Sequence, residues 1–159
     1  MKRHPALIPL SRDHHNGLMQ ALRLRNAADG DASARVATAR EFVEFFRTEE
    51  RVHLRDEEEE LFPLLLRHVR SQPAPLREAR VQHVQLEGFA RKLDIAVTAG
   101  IVDRETLDAA GELLHAHIRL EERQLFPLIE ELVPDDELRR LGLADRDATC
   151  TVRRPPLTS

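Results

Sequence analysis

The sequence contains neither tryptophan nor tyrosine, and its single cysteine is Cys150. One cysteine cannot form an internal disulfide, and its position in the polar C-terminal part argues against a role as a metal ligand. No apolar run approaches the roughly 18–20 residues that a membrane-spanning helix needs. The basic N-terminus, Met1–Pro5, lacks the apolar stretch of a signal peptide. These absences exclude disulfide-stabilised and membrane-spanning classes, and we expect a cytoplasmic protein.

An excess of one charge is also missing. The chain has 24 basic and 28 acidic residues, a net charge of -4, and the two signs are interspersed along the sequence. Nucleic-acid-binding proteins usually concentrate basic charge on one face, so neither a nucleic acid nor a membrane is an expected partner. The abundant residues are leucine, alanine, glutamate and arginine, all good helix formers. A chain of 159 residues suits one domain with one core.

Apolar residues recur three or four positions apart in four segments, which indicates amphipathic helices. Ser11 and Asp13 are both candidates for the cap of the first helix. Pro63 is expected to kink the second helix, because proline has no N–H to bond four residues back. The predicted helices run from about Leu10 to Ala28, Ser33 to Val69, Leu76 to Thr98 and Asp103 to Leu132.

The short connections between these segments favour antiparallel neighbours. The predicted fold is therefore all-α, an up-down-up-down antiparallel four-helix bundle made of two helical-hairpin repeats. Pro134–Leu138 is expected to start a short C-terminal helix. We assign residues 1–143 to the bundle and residues 144–159 to a loose polar tail.

One block of sequence occurs twice. Residues 53–64 and 117–128 both read His-x-x-x-Glu-Glu-x-x-Leu-Phe-Pro-Leu. Residues four apart lie on the same face of a helix, so each block presents an imidazole and a carboxylate side by side. One further histidine precedes each block on the preceding helix. Two hairpins packed with approximate two-fold symmetry would bring all four histidines to one level, as in a metal centre inside a bundle.

His53 and Glu57, with the matching His117 and Glu121, are the strongest candidates for metal ligands. Each pair continues an apolar stripe, and a buried carboxylate without a partner is costly. A metal cation would compensate that charge. The alternative, a solvated acidic run, suits Glu58 and its neighbours, but it does not explain why the spacing recurs.

The third helix repeats the four-residue spacing with His83 and Glu87. His83 shares a face with Leu86 and Ala90, so it is expected to point inward. The alternative is a core histidine bonded to a backbone carbonyl, but three other candidate histidines favour a ligand. Glu87 is included as a ligand, with a position at the edge of the apolar stripe as the alternative.

The first helix offers His14 and His15. His14 lies four residues from both Leu10 and Leu18, which places it in the apolar stripe and makes it the preferred ligand. His15 is the alternative. The predicted metal ligands are His14, His53, Glu57, His83, Glu87, His117 and Glu121.

At these residues the sequence resembles the hemerythrin-like family, the His-His-Glu cation-binding domains. The resemblance covers about Leu10 to Leu132, and its most specific part is the doubled block. It implies an up-down four-helix bundle around a non-haem di-iron centre with an oxo or hydroxo bridge; manganese or a mixed pair would also suit the ligands. It further implies terminal and bridging ligands. The implied terminal ligands are His14, His53, His83 and His117, and the implied bridging ligands are Glu57 and Glu121.

Two positions depart from the oxygen-carrying members of that family. Those proteins have a second histidine where this chain has Glu87. They also have an aspartate five residues after the fourth-helix histidine, whereas here glutamates stand four and five residues on. Anionic oxygen ligands favour ferric iron or manganese. The expected function is therefore binding of, or redox reaction with, oxygen, peroxide or nitric oxide rather than reversible oxygen carriage.

Other functions and states remain open at this stage. A non-enzymatic iron-sensing, oxygen-sensing or metal-storage module could use the same ligands, so the sequence leaves open whether the protein is an enzyme. A structural bundle with metal-free core histidines is the third alternative. The chain could act as a monomer or as a homodimer. Phenylalanines in the helices predict apolar layers that limit the access of water and of large substrates.

Overall fold

The computed structural model of the chain describes residues 2–141, which fold into helices without any strand in that range. The all-α class is thus confirmed. The predicted tail, residues 144–159, lies outside the described residues, as does Cys150. Helix α1 is Ile8–Ala28, and α3 is Ala74–Ala99. Helix α2 comprises Ala32–Phe45, Phe46–Glu50, Arg51–Asp56, Glu57–Leu61 and Phe62–Leu66 in direct succession; α4 comprises Arg104–Leu120, Glu121–Leu125 and Phe126–Leu132; α5 is Asp135–Arg139.

Local signals in the sequence explain most of the helix ends. The Asp31 carboxylate caps α2 by accepting a hydrogen bond from the Ala34 N–H at 2.8 Å. Asp103 caps α4 in the same way, through the Thr106 N–H at 2.7 Å. Helix α3 ends at Gly100, whose φ of 71° is left-handed and therefore favours glycine. Four of the predicted helices are confirmed to within a few residues.

The predicted cap of α1 was wrong. Its first residue is Ile8, which follows a 3₁₀ turn at Pro5–Leu7, so Ser11 and Asp13 lie inside the helix. Pro9 is the second residue of α1, and proline suits the first turn of a helix because an N–H there would have no partner within the helix. The side chains of Ser11 and Asp13 instead bind residues on other helices, a use that local sequence does not reveal.

Helices α2 and α4 both change to a wider π-helical turn within the repeated block. The turns are Glu57–Leu61 and Glu121–Leu125, so each begins at a glutamate that was predicted to be a ligand. Pro63 and Pro127 stand two residues after these turns, and their missing N–H groups interrupt the α-helical hydrogen bonds. Phe46–Glu50 in α2 is a further π turn with no proline just after it, so proline does not account for every π turn in residues 2–141. Such turns are frequent at functional sites.

Two apolar clusters form the core. Cluster A includes Phe42, Phe46, Leu86, Leu107 and Leu114. Cluster B includes Leu10, Leu61, Phe62, Leu125 and Phe126. Helix α1 packs against α2 and α4, and α3 packs against the same two helices. On each helix the residues between the two clusters belong to a polar layer, which is the candidate site. None of the helices in residues 2–141 is long and apolar enough to cross a membrane.

Candidate metal centre

The polar layer between the clusters consists of six buried ionisable side chains. Helices α1 and α3 each supply one histidine, whereas α2 and α4 each supply a histidine and a glutamate four residues later. Each of these side chains is at most 7% exposed. They are His14, His53, Glu57, His83, His117 and Glu121.

The six side chains form two groups that share both carboxylates. In each group, one ligand atom from every member lies within 4.8 Å of the others. The first group contains His14 and His53, and the second contains His83 and His117. Glu57 and Glu121 belong to both groups, so either carboxylate could bridge two cations.

The distances show how the carboxylates connect the two groups. The oxygens of Glu57 lie 3.4 Å from His53 Nε2 and 3.3 Å from His83 Nε2. One Glu121 oxygen lies 3.0 Å from His14 Nε2 and 3.4 Å from Nε2 of the histidine one turn earlier on α4. All these imidazoles therefore direct Nε2 inward, towards the shared carboxylates.

Several of these inward atoms lack a hydrogen-bond partner among residues 2–141. They are both carboxylate oxygens of Glu57 and Glu121, and Nε2 of His83 and His117. Leaving buried polar atoms unpaired is costly, and native proteins do so rarely. Imidazole nitrogens and carboxylate oxygens are donors that transition-metal ions accept. The site thus fits bound cations, which would use the unpaired atoms.

Glu58 and Glu122, the second glutamate of each repeated block, bind the outer nitrogens of two of these histidines. His14 Nδ1 donates to Glu122 at 2.7 Å, and His83 Nδ1 donates to Glu58 at 2.9 Å. A proton held on Nδ1 leaves the Nε2 lone pair free to face the centre. Outer acceptors of this kind orient the ligands of metal sites.

The other two histidines have equivalent acceptors. His53 Nδ1 donates to Asp13 at 3.2 Å, and His117 Nδ1 donates to the Gln82 side-chain oxygen at 3.2 Å. Gln82 keeps this orientation because its amide nitrogen donates to Glu78 at 3.1 Å. All four histidines therefore direct Nδ1 to an acceptor outside the centre.

Two arginines complete the outer layer. Arg3 donates to Glu122 at 2.6 Å, and Arg80 donates to Glu58 at 3.0 Å. Partial burial raises the pKa of Glu122, but hydrogen bonds from His14, Ser11 and Arg3 outweigh it and lower the pKa to about 2. Glu58 and Glu122 are therefore ionised at neutral pH and accept hydrogen bonds from the two histidines.

Phenylalanines of the same blocks hold two of the imidazole planes. Phe126 stacks on His14 with ring centroids 5.2 Å apart, and Phe62 stacks on His83 at 5.5 Å. Both phenylalanines are fully buried. The Phe-Pro part of the repeat therefore contributes to the walls of the site as well as to the helix geometry.

Without metal, protons on the histidines balance the buried carboxylates. Burial alone would lower the pKa of His14, but the adjacent carboxylates of Glu121 and Glu122 raise it to about 9. The same opposition raises the pKa of His83 to about 11 and that of His53 well above its usual value. His117 is the exception, since burial prevails and lowers its pKa to about 4.

The two shared carboxylates stay ionised. Burial and repulsion from Glu121 would raise the pKa of Glu57, but attraction to the neighbouring His53 and His83 imidazoles lowers it. The pKa of Glu121 is lowered further, because neighbouring histidines outweigh its burial. The centre is therefore an anionic core that attracts either protons or cations.

The structure brings together six of the seven predicted ligands. His14 is buried and His15 is exposed, so the first helix places His14 at the site. Glu87 belongs to neither group formed by the described residues. Its carboxylate binds Arg51 at 2.9 Å and approaches Arg91 at 3.5 Å. Glu87 therefore lies at the edge of the apolar stripe, where arginines rather than histidines face it.

Sequence reasoning missed the outer partners of the site. It assigned Glu58 to a solvated acidic run and Asp13 to a helix cap, yet both bind histidines. The repeat held a signal for Glu58, because a glutamate stands at the same place in both blocks. Glu50 was missed as well: it is buried beside the site, and burial raises its pKa.

Comparison with known protein families gives one match. The model of the hemerythrin HHE cation binding domain matches residues 7–129, which include all six residues of the polar layer. No curated protein and no solved structure matches the chain.

Proposed function

Because the chain belongs to the hemerythrin HHE cation-binding family, we propose that it is a non-haem di-iron protein that binds or reacts with oxygen, peroxide or nitric oxide. The observation that carries this proposal is the pair of buried groups that share two carboxylates with unpaired oxygens. A single cation would leave two histidines without a role. Two cations would engage Nε2 of all four histidines and the oxygens of both glutamates.

The proposed ligands follow the two groups. One iron ion would be held by His14 and His53, and the other by His83 and His117. Glu57 and Glu121 would hold both ions. Glu87 is left out, because its arginine partners occupy its carboxylate. The mixture of imidazole and anionic oxygen suits iron, and manganese or a mixed pair is the alternative.

An iron pair would supply one-electron redox chemistry towards a small oxidant. The protein's own residues set the conditions for it. Clusters A and B exclude water from either side of the polar layer, and the outer acceptors hold each imidazole in the tautomer that presents Nε2. The small space between the helices favours diatomic molecules or peroxide over large substrates at the centre itself.

We propose that the helices form an up-down-up-down bundle. In support, α1 and α3 run from residues of cluster B to residues of cluster A, whereas α2 and α4 run from A to B. We also retain a cytoplasmic location, without a membrane or nucleic-acid partner, and a monomer or homodimer as parts of the proposal.

The proposal is tested on protein purified from iron-supplied cells, by its absorption spectrum before and after peroxide addition. Bands of a bridged ferric pair in the near ultraviolet, followed by peroxide decay, would support a peroxide-reactive enzyme. Spectral cycling without turnover would instead favour the alternative, a non-enzymatic iron- or oxygen-sensing or storage module. A folded, colourless protein without metal would contradict both.

A further inference from the structure

A groove between α2 and α3 forms a cavity of about 900 Å³ on the surface next to the centre. Its walls carry Arg51 and Arg55 from α2, and Arg80 and Arg91 from α3. Glu58 and Glu87 are the acidic residues in the lining. Among the lining residues four guanidinium groups stand against two carboxylates, and Arg55 also pairs with Asp56 at 3.5 Å.

Apolar surface lies between these charges. Leu54 lines the groove from α2, and Val84 and Gly88 line it from α3. Val84 is 74% exposed. Small-molecule sites combine such apolar surface with a few placed polar groups, and their volumes are commonly 300–1,000 Å³.

The related groove between α4 and α1 shows that this opening is specific to one half of the repeat. Gly88 stands five residues after His83, and Met19 stands five residues after His14. Met19 lines the α4–α1 groove, which is a smaller cavity of about 350 Å³. A Cβ atom added at Gly88 would meet no described atom within 4 Å. Glycine therefore leaves open a space that methionine partly occupies in the other half.

The number of arginines in the two grooves differs at another pair of equivalent positions. Arg91 stands eight residues after His83, whereas Leu22 stands eight residues after His14. Arg91 and Leu22 each line their own groove. The α2–α3 groove is thus larger and is lined by four arginines instead of two, whereas both linings have the same net charge because the described α4–α1 lining contains no glutamate.

This groove reaches the proposed centre at His83. The His83 ring is part of its lining, together with Glu58, which accepts from His83 Nδ1 at 2.9 Å. Arg80 holds the other oxygen of Glu58 at 3.0 Å. A molecule in the groove would therefore contact the histidine and the hydrogen-bonded pair that orients it.

We propose that this groove binds a small organic anion with an apolar body and a carboxylate or phosphate group, beside His83. Guanidinium groups bind such anions through paired hydrogen bonds, and Leu54 and Val84 would contact the apolar body. The role of the anion rests on the proposed function: it would be a substrate or reductant next to the iron pair. Binding itself needs no metal, so the two proposals can fail separately.

Glu87 would compete with that anion for the arginines of the groove. It lies in the groove and binds Arg51 at 2.9 Å. A bound anion would take over this arginine and Arg91 from Glu87. The carboxylate that sequence spacing placed among the metal ligands is then a regulator of anion affinity in the groove.

The test is calorimetric titration of the whole chain with 1-naphthyl phosphate, 1-naphthol and inorganic phosphate. We expect the phosphate ester to bind more tightly than either of the other two, and less tightly at high salt, because salt screens the arginines. Gly88→Met should weaken its binding by about tenfold or more by filling the groove. Ala37→Met, which adds the same side chain at an exposed position of α2 outside the groove, should leave it unchanged.

Variants that change the charge of the groove provide a second test of the proposal. Arg51→Gln should weaken binding, Glu87→Gln should tighten it, and Arg23→Gln on another face should have no effect. Absence of binding to the wild-type chain, equal binding of 1-naphthol, or unchanged binding to Gly88→Met would each overturn the proposal. The metal content of the same samples is measured in parallel. Naphthyl phosphate binding to a chain that takes up no iron would support the groove and contradict the di-iron proposal alone.

Discussion

Each histidine of the polar layer has its two ring nitrogens in different environments. Nδ1 donates to an acceptor outside the layer, and Nε2 faces the shared carboxylates. This division lets Nδ1 keep its proton when a cation replaces the proton on Nε2. Glu58 and Glu122 are therefore expected to influence metal affinity although neither reaches the shared carboxylates.

Replacement of Glu58 tests this role. Glu58→Gln removes the negative charge beside His83 Nδ1 and weakens the bond from Arg80, so metal affinity should fall by about 10-fold. Glu59→Gln is the matched control, since Glu59 is the exposed neighbour in the same run. Competition with a coloured chelator measures both. Equal affinities of the two variants would show that Glu58 has no such influence.

The raised histidine pKa values predict that metal binding releases protons. At pH 7, His14 and His83, with pKa values of about 9 and about 11, are protonated in the metal-free chain, and so is His53. His117, with a pKa of about 4, is already neutral. Since metal needs neutral imidazoles, loading the full site at pH 7 should release about three protons.

The sign of the pH dependence follows. Protons compete with metal below the raised pKa values, so apparent affinity should increase with pH through about 9 and towards 11. Calorimetry in buffers with different ionisation enthalpies counts the released protons. A titration that releases none at pH 7 would contradict the assignment of these histidines as ligands.

At the scale of the helices, α1 and α4 approach each other closely at Gly111. A Cβ atom added there would lie 2.8 Å from the Ala21 carbonyl oxygen and 2.7 Å from Arg25 Cγ. The backbone cannot yield as a flexible side chain can, so the two helices would have to separate. This contact favours glycine for steric reasons, although the residue is in the middle of a helix.

Two glycine variants test that contact against each other. Gly111→Ala should lower the free energy of unfolding by about 1–3 kcal/mol, as overpacking does. Gly88→Ala should raise it by about 0.5–1 kcal/mol, because alanine is the better helix former and meets open space. Chemical denaturation of the metal-free variants measures both changes. A Gly111→Ala protein as stable as the wild type would contradict the close approach.

The helix bodies could be predicted because apolar spacing and local caps such as Asp103 are encoded within a few residues. The start of α1 could not, because Ser11 and Asp13 look like caps but bind Glu122 and His53 across the bundle. The π turns were also missed. The positions of Glu57–Leu61 and Glu121–Leu125 are understandable afterwards, because a proline stands two residues after each, but Phe46–Glu50 has no such signal.

The part of the candidate site that lies in the repeated block could be predicted from the sequence. The block identified His53, Glu57 and their counterparts, and all of them meet in one layer. Glu87 has the same four-residue spacing from its histidine, but Arg51 on the neighbouring helix binds it. Spacing within one helix cannot show what the next helix presents, so Glu87 and the groove around it required the structure.

For the whole molecule, the polar layer divides the core into two apolar clusters. In the metal-free chain this layer holds buried carboxylates whose oxygens lack hydrogen-bond partners within residues 2–141. Cations that bind the folded chain but not the unfolded one stabilise it by mass action. The metal and the fold should therefore be linked.

Thermal unfolding tests this linkage. Iron at about 100 times its dissociation constant should stabilise the chain by roughly 2.7 kcal/mol for each ion bound, and a chelator should remove the gain. The double variant Glu57→Gln, Glu121→Gln should unfold at the same temperature with and without iron. An equal shift of Tm in the wild type and the double variant would show that the metal binds elsewhere.

The most direct test of the account is the metal content of the purified chain and of that double variant, measured by mass spectrometry of the dissolved protein. We expect about two irons per wild-type chain, one for each group of ligands, and almost none in the variant. A folded wild-type chain without metal, or a variant that keeps both irons, would contradict it.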